Sequence, residues 1–192
     1  MDKKLILASA SPRRSEILET AGYKFEIVVS DAAESSVGDA YELARENALA
    51  KARAVYEKTG GDAVVVGADT VVVLDGEVLG KPKDERDAFD MLSKLSNSGH
   101  EVVTGYAVVS KSGEKSDYCV TYVRFRELSD DEINAYIATN EPMDKAGAYG
   151  IQEKASVFAE SIVGDVFNVI GLPISSLYPM LKEFGISPQW QG

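Results

Sequence analysis

The sequence predicts an α/β fold built on a mixed, strongly twisted sheet with flanking helices. Three observations lead there. Apolar runs of strand length alternate with stripes of helical period. Some strands are followed by helices and others by tight turns, so crossovers and hairpins coexist in one sheet. The chain has 192 residues, 45% hydrophobic and 27% charged, which suits one α/β domain or two small lobes sharing a sheet. Residues 1–192 are read as a single domain. A chain of this size buries roughly 70% of its unfolded surface, so neither a disulfide nor a structural metal is needed for stability.

The elements follow in order. Lys4 to Ala8 reads as a buried strand. A helix runs from Pro12 to Ala21, with Ser11 as N-cap, Pro12 in the first turn and Gly22 as the stop. Phe25 to Val29 reads as a second strand. Asp39 to Lys58 reads as a long helix, with Ala44, Ala48, Ala52 and Val55 in one stripe and Gly60-Gly61 ending it. Ala63 to Leu74 and Glu77 to Leu79 form a hairpin around Asp75-Gly76, a type I′ signal. Ala88, Met91, Leu92 and Leu95 mark a helix from about Asp84 to Ser96. Glu101 to Ser110 and Tyr118 to Arg126 are strands joined through Ser112-Gly113. Ser129 and Glu132 form a capping box before a helix carrying Ile133, Tyr136 and Ile137. Tyr149 to Gln152, Val157 to Ile162 and Phe167 to Ile170 are short strand candidates. Pro173 opens a last helix with Ile174, Leu177, Leu181 and Phe184 facing inward.

Composition narrows the chemistry. A net charge of −11 argues against a general nucleic-acid-binding surface. A small anion in a locally cationic site is still allowed, because exposed charges are screened over roughly 8–10 Å. The longest apolar runs, Ala63 to Ala68 and Val71 to Leu74, are too short to span a bilayer. The N-terminus runs straight into a strand without the apolar stretch of a signal peptide. A lone cysteine, Cys119, excludes an intrachain disulfide and points to a reducing compartment, so a cytoplasmic protein is expected. A lone histidine, His100, excludes a zinc site built on several histidines. Catalysis therefore has to rest on carboxylates, Lys, Arg, polar groups and backbone amides, with or without a hard metal ion.

Four segments carry candidate chemistry. Ser9-Ala10-Ser11-Pro12-Arg13-Arg14 joins a strand to a helix start, where free amides and the dipole attract phosphate. Two arginines there are unfavourable unless an anion arrives; the alternative is a solvated helix start. In Gly67-Ala68-Asp69-Thr70-Val71 a carboxylate interrupts an apolar strand, which is costly unless it is paired or bound to a cation. The alternative is a strand end where Asp69 reaches solvent. Asp69→Asn should leave thermal stability unchanged or raise it. Leu79-Gly80-Lys81-Pro82-Lys83 places two lysines around a rigid proline, and Lys51 lies on the long helix; taken alone, a solvated loop and ordinary helix-surface charge are the default readings. Asp144 to Gln152 is glycine-bearing, and Lys145, Tyr149 and Gln152 would suit a ligand rim or an ordinary loop. A phosphate-binding helix start, a buried carboxylate and scattered lysines suit phosphoryl-transfer hydrolysis with a divalent metal.

These segments, in this order and followed by Gly171-Leu172-Pro173, resemble the Maf family, with the match running from Leu5 to about Phe184. The resemblance implies a fold like that of the inosine triphosphate pyrophosphatases, with two lobes around a cleft. It implies hydrolysis of a nucleoside triphosphate to the monophosphate and pyrophosphate. Asp69 would be the catalytic proton acceptor. Arg13, Thr70 and Gln152 match the positions of the branch that prefers dTTP and UTP. Ser9, Arg13, Arg14, Lys51 and Lys81 would bind phosphate, and Asp69 with Glu34 would hold a divalent cation, Mg, Mn or Co. A homodimer and a link to septum formation and cell-division arrest are also implied. The alternative function is a nucleotide-sensing regulator without turnover.

Uracil and thymine present an acceptor at O4 beside a donor at N3–H, a pair that the Gln152 amide matches. Cytosine presents the reverse, so discrimination requires an amide that cannot turn over, and Thr70 is the expected lock. The chain departs from the family after Gln152: Glu153-Lys154-Ala155-Ser156 stands where glycines are usual. Non-glycine residues restrict the backbone at that point.

Overall fold

The computed structural model describes residues 3–191. A seven-stranded sheet has the order β2-β1-β3-β5-β6-β7, with β4 paired to β3. The strands are β1 Lys4–Leu7, β2 Glu26–Ile27, β3 Ala63–Leu74, β4 Glu77–Leu79, β5 Gly99–Ser110, β6 Gly113–Phe125 and β7 Ala159–Val163. The helices are α1 Pro12–Thr20, α2 Ala40–Thr59, α3 Glu85–Leu95, α4 Asp130–Ile137, α5 Val166–Ile170 and α6 Ile174–Glu183. β1 is parallel to β2 and β3, whereas β3–β4 and β6–β7 are antiparallel. The mixed sheet with flanking helices is the fold class the sequence predicts.

The chain divides into two compact units. The first comprises residues up to Asp69, Thr104–Cys119 and everything from Gly171 onward. Its core joins Ile6, Ala8, Val65, Ala107 and Val109 of the sheet to Ala48, Ala52 and Val55 of α2. Asp39 caps α2, its carboxylate accepting from the Tyr41 and Glu42 amides. The alanine stripe lets α2 lie close on the strands, and two glycines bring it closer. A Cβ at Gly67 would collide with the Ala48 carbonyl, and one at Gly105 with the Ala44 carbonyl. Residues on one face of a strand recur every second position. Val65, Gly67 and Asp69 therefore all face α2.

The second unit comprises Thr70–Val103 and Val120–Ile170. Leu92 and Leu95 of α3, Ile133 and Tyr136 of α4, and Val123 and Phe125 of β6 fill its core. His100 is buried there, edge-on to Phe125 and Tyr149, and its Nε2 shares a 2.8 Å hydrogen bond with the Tyr149 hydroxyl. Burial pushes its pKa down to about 4 from the ordinary 6.5. Asp75 and Gly76 both have positive φ, 49° and 82°, as the type I′ turn demands. The capping box at Ser129 and Glu132 is present.

Three strand expectations are corrected. Phe167 to Ile170 lies in α5, because the Asp165 carboxylate accepts from the Phe167 and Asn168 amides and caps a helical turn. Among the described residues, Tyr149 to Gln152 pairs with no strand. Gly147 and Ala148 turn left-handed before it, at φ 66° and 61°, and the Gly150 amide donates to the Tyr136 hydroxyl instead of to a ladder. The strand expected at Val157 starts at Ala159, since Lys154–Val157 forms a 3-10 turn. Ser11 occupies the N-cap of α1, but its side chain makes no capping hydrogen bond.

Gly67→Ala should force α2 off β3, since the obstructing atom is backbone. Overpacking of this kind costs about 1–3 kcal/mol, measurable as a lower urea midpoint; an unchanged midpoint would mean that the helix can retreat freely. His100 gives a second expected outcome. The unfolded imidazole takes its proton near 6.5 and the folded one only near 4, so its contribution is complete above pH 6.5 and is lost as pH falls from 6.5 to 4. That contribution is about 3 kcal/mol. Urea unfolding at pH 7 and pH 4.5 should show His100→Gln losing distinctly less stability on acidification than the parent chain.

Candidate active site

In the first unit Asp69 is buried at the α2-facing side of β3. Both carboxylate oxygens are engaged. Oδ1 accepts from Lys51 Nζ at 2.7 Å and Oδ2 from Asn47 Nδ2 at 3.1 Å. Asn47 and Lys51 lie four residues apart, on one helical face. The remaining groups of the Asn47 amide are also filled: Nδ2 donates to the Ser35 carbonyl at 3.0 Å, and Oδ1 accepts from the Ser35 amide at 2.9 Å. Because the Ser35 N–H needs an acceptor, the amide can sit only this way round, with its NH2 toward Asp69. Lys51 Nζ also meets Glu34 Oε1 at 2.6 Å, so one ammonium joins the two carboxylates.

The helix start lies in the same unit. Arg14 Nε donates to the Gly171 carbonyl at 2.8 Å and its NH1 to Ser9 Oγ at 3.0 Å. Ser9 Oγ also accepts from the Ser11 amide at 3.2 Å. Burial lowers the pKa of the Arg14 guanidinium; Asp69 opposes that, Arg13 adds to it and Glu34 opposes it. Ser9, Arg13, Arg14, Glu34, Lys51 and Asp69 are thus gathered in one unit, with Arg14 in the electrostatic reach of both carboxylates.

Thr70, Lys81 and Gln152 belong to the second unit. The Lys81 loop is tied to the Gln152 segment, because the Gly147 amide donates to the Gly80 carbonyl at 3.0 Å. Lys81 is exposed and Thr70 half-buried. Gln152 is exposed and lines a depression of about 430 Å³ with Ile151, Ser156, Ser161, Ile162 and Val166. A larger depression, about 520 Å³, lies against α3 and α4 and is lined by none of the sequence-derived site residues. Among the described residues, none hydrogen-bonds to the Gln152 amide, so Thr70 is not the lock expected for it. Lys145 and Tyr149, which would suit a ligand rim or an ordinary loop, are buried and engaged internally.

Asn47 is the site residue that the sequence reading missed. Its signal was a polar side chain one turn before Lys51, at the border of an alanine stripe. Among the described residues no group of three or more His, Cys, Asp or Glu side chains is arranged to hold a metal. Asp69 and Glu34 form a pair only.

The profile described as Maf-like protein matches residues 4–184. The chain belongs to this family. Among its Maf-like relatives, a Thermococcus kodakarensis protein is 53% identical over 182 residues, covering 94% of this chain and 96% of the relative. One from Alkaliphilus oremlandii is 52% identical over 185 residues, covering 94% and 96%, and one from Bacillus cereus is 50% identical over 186 residues, covering 96% and 91%. Each of the three is named dTTP/UTP pyrophosphatase. Among solved structures the Ham1 protein of Staphylococcus aureus aligns with a TM-score of 0.55 at 15% identity, over 94% of this chain and 99% of that one, which shows a shared fold.

The Asp69–Lys51 contact reverses one expectation about this Maf-like site. Asp69 is paired, with side chains 11% and 12% exposed. Asp69→Asn should therefore lower stability, by about 1–3 kcal/mol, because Lys51 loses a buried anion; Glu34 limits the loss. Thermal and urea unfolding of the variant would check this, and a stability equal to or above the parent's would restore the isolated-carboxylate view.

Proposed function

We propose that this chain is a nucleoside triphosphate pyrophosphatase acting on dTTP and UTP, giving the monophosphate and pyrophosphate. Relatives of that name at about half identity support the substrate class. The observation that carries the chemistry is Asp69, held by Lys51 and Asn47 within electrostatic reach of the half-buried Arg14.

Hydrolysis breaks the phosphoanhydride between the α and β phosphates. Charge builds on the phosphate oxygens, so fixed cations that are already in place contribute most. Arg13, Arg14 and Lys51 supply them in the first unit and Lys81 in the second. The Ser11 side chain makes no cap on α1, which suits a phosphate oxygen at that end. Asp69 is the group that accepts the proton of the attacking water. Asn47 and Lys51 fix its carboxylate plane, so that proton transfer needs no search for orientation.

The donor set fits a divalent cation completed by substrate. Mg²⁺ commonly takes one or two carboxylates plus phosphate oxygens, and Asp69 and Glu34 offer two carboxylates around one ammonium. Such a cation, when bound, supplies charge to the phosphates and acidifies water. Gln152 reads the O4 and N3–H edge of thymine or uracil, with Arg13 and Thr70 as further selectivity positions. The same reading includes a homodimer in the cytoplasm and a part in cell-division arrest, and it excludes nucleic acid as a partner, in keeping with the charge of −11.

The purified chain should release pyrophosphate from dTTP and UTP in the presence of Mg²⁺, Mn²⁺ or Co²⁺. Asp69→Asn should lose at least ~10²-fold in kcat, the low range for a general base. Nucleotide binding without pyrophosphate release across a panel of triphosphates and metals would instead identify a nucleotide-sensing regulator.

A further inference from the structure

We propose that Lys145 and Glu153 form a clamp that positions Gln152 and thereby sets how strictly this enzyme chooses its base. The proposal rests on the reading of Gln152 as the base-recognising residue.

An amide discriminates between base edges only while its backbone holds still, because productive pairing tolerates about 0.5 Å and 10–20° of displacement. Among the described residues no side chain hydrogen-bonds to the Gln152 amide. Discrimination must then come from the segment that bears it. Lys145 is 7% exposed, and an ammonium has three donors. Its Nζ meets the Glu141 carbonyl at 2.6 Å, Asp144 Oδ1 at 2.8 Å and Glu153 Oε2 at 3.1 Å. With three acceptors around it, Lys145 has no donor left for a ligand. It acts through the loop as a positioning residue.

The clamp closes on both sides of Gln152. On one side the Lys145 stem packs on Gly150 so tightly that a Cβ there would stand 2.7 Å from Lys145 Cε. Gly150 is held further by its amide to the Tyr136 hydroxyl at 3.2 Å. On the other side Glu153 is drawn to the same ammonium, and its amide donates to the Gly150 carbonyl at 3.1 Å. Lys154 fastens the next residue: its amide and ammonium reach the two Glu141 oxygens at 2.9 and 2.6 Å. Gln152 thus lies in a short turn pinned at Gly150, Glu153 and Lys154. Glu153 and Lys154 are the side chains that close this clamp beyond Gln152.

The test compares kcat/KM for UTP with that for CTP and for GTP in the full chain. Glu153→Ala removes the carboxylate while keeping a Cβ on the backbone, and Lys145→Met removes the ammonium while keeping the stem. Each should lower the UTP:CTP and UTP:GTP ratios roughly fivefold or more, the low end of what a mispaired buried polar group costs. Lys145→Arg should recover part of the ratio. Gln152→Ala should collapse both ratios, and Glu153→Ala added to it should change them no further. A general loss of folding scales all three substrates together and leaves the ratios alone; if Lys145→Met fails to fold, the partly exposed Glu153 position decides. Ratios unchanged in Glu153→Ala while Gln152→Ala collapses them overturn the clamp and leave the Gln152 reading standing. Ratios unchanged in Gln152→Ala overturn that reading and the clamp together.

Discussion

The close approach of α2 to β3 fixes the geometry of the Asp69 carboxylate. Gly67 and the alanines at 44, 48 and 52 remove the side chains that would hold helix and strand apart, and Gly105 does the same on β5. At that separation the short Asn47 amide spans to Asp69, and Lys51, one turn on, reaches the other oxygen. A helix standing back by one methyl layer would leave Asn47 short of the carboxylate. Asp69 would then be a buried charge with neither orientation nor partner, the costly state that its place in an apolar strand first suggests.

The first-unit cluster also accounts for how an acidic chain can receive an anionic substrate. Arg13, Arg14 and Lys51 stand against Glu34 and Asp69, so a local excess of positive charge persists in a molecule whose net charge is −11. Screening keeps the distant acidic surface from cancelling it. Arg14 is the most constrained of these cations. Its Nε and one terminal nitrogen are directed to the Gly171 carbonyl and Ser9. Those two contacts fix the guanidinium plane.

Much of this was legible along the chain. The period of Ala44, Ala48, Ala52 and Val55 marked the buried face of α2, and Asp75-Gly76 and Ser129-Glu132 marked a turn and a cap that the structure has. Asp69 stood out as a carboxylate inside an apolar run. The errors have local causes. Phe167 to Ile170 has the apolar, β-branched look of a strand, but the Asp165 carboxylate, accepting from the Phe167 and Asn168 amides, turns it helical. Tyr149 resembles a ligand-rim residue because Tyr is amphipathic, yet its ring completes the core around His100 and Phe125. Neither outcome has a signature in periodicity, since each is decided by one hydrogen-bond partner or one packing neighbour.

The sequence by itself determined the α/β class, the order of most elements, the family and the residue types available for chemistry. These depend on periodicity, turn chemistry and motif spacing, all of which are local along the chain. Tertiary structure alone decided the partners: Lys51 between Asp69 and Glu34, Asn47 holding both Asp69 and the Ser35 backbone, and Lys145 turned inward to Glu153 instead of outward to a ligand. The physical reason is that a buried polar group takes whichever partner the packing brings within about 3 Å, and residues 12 to 22 positions apart in sequence give no advance sign of that meeting.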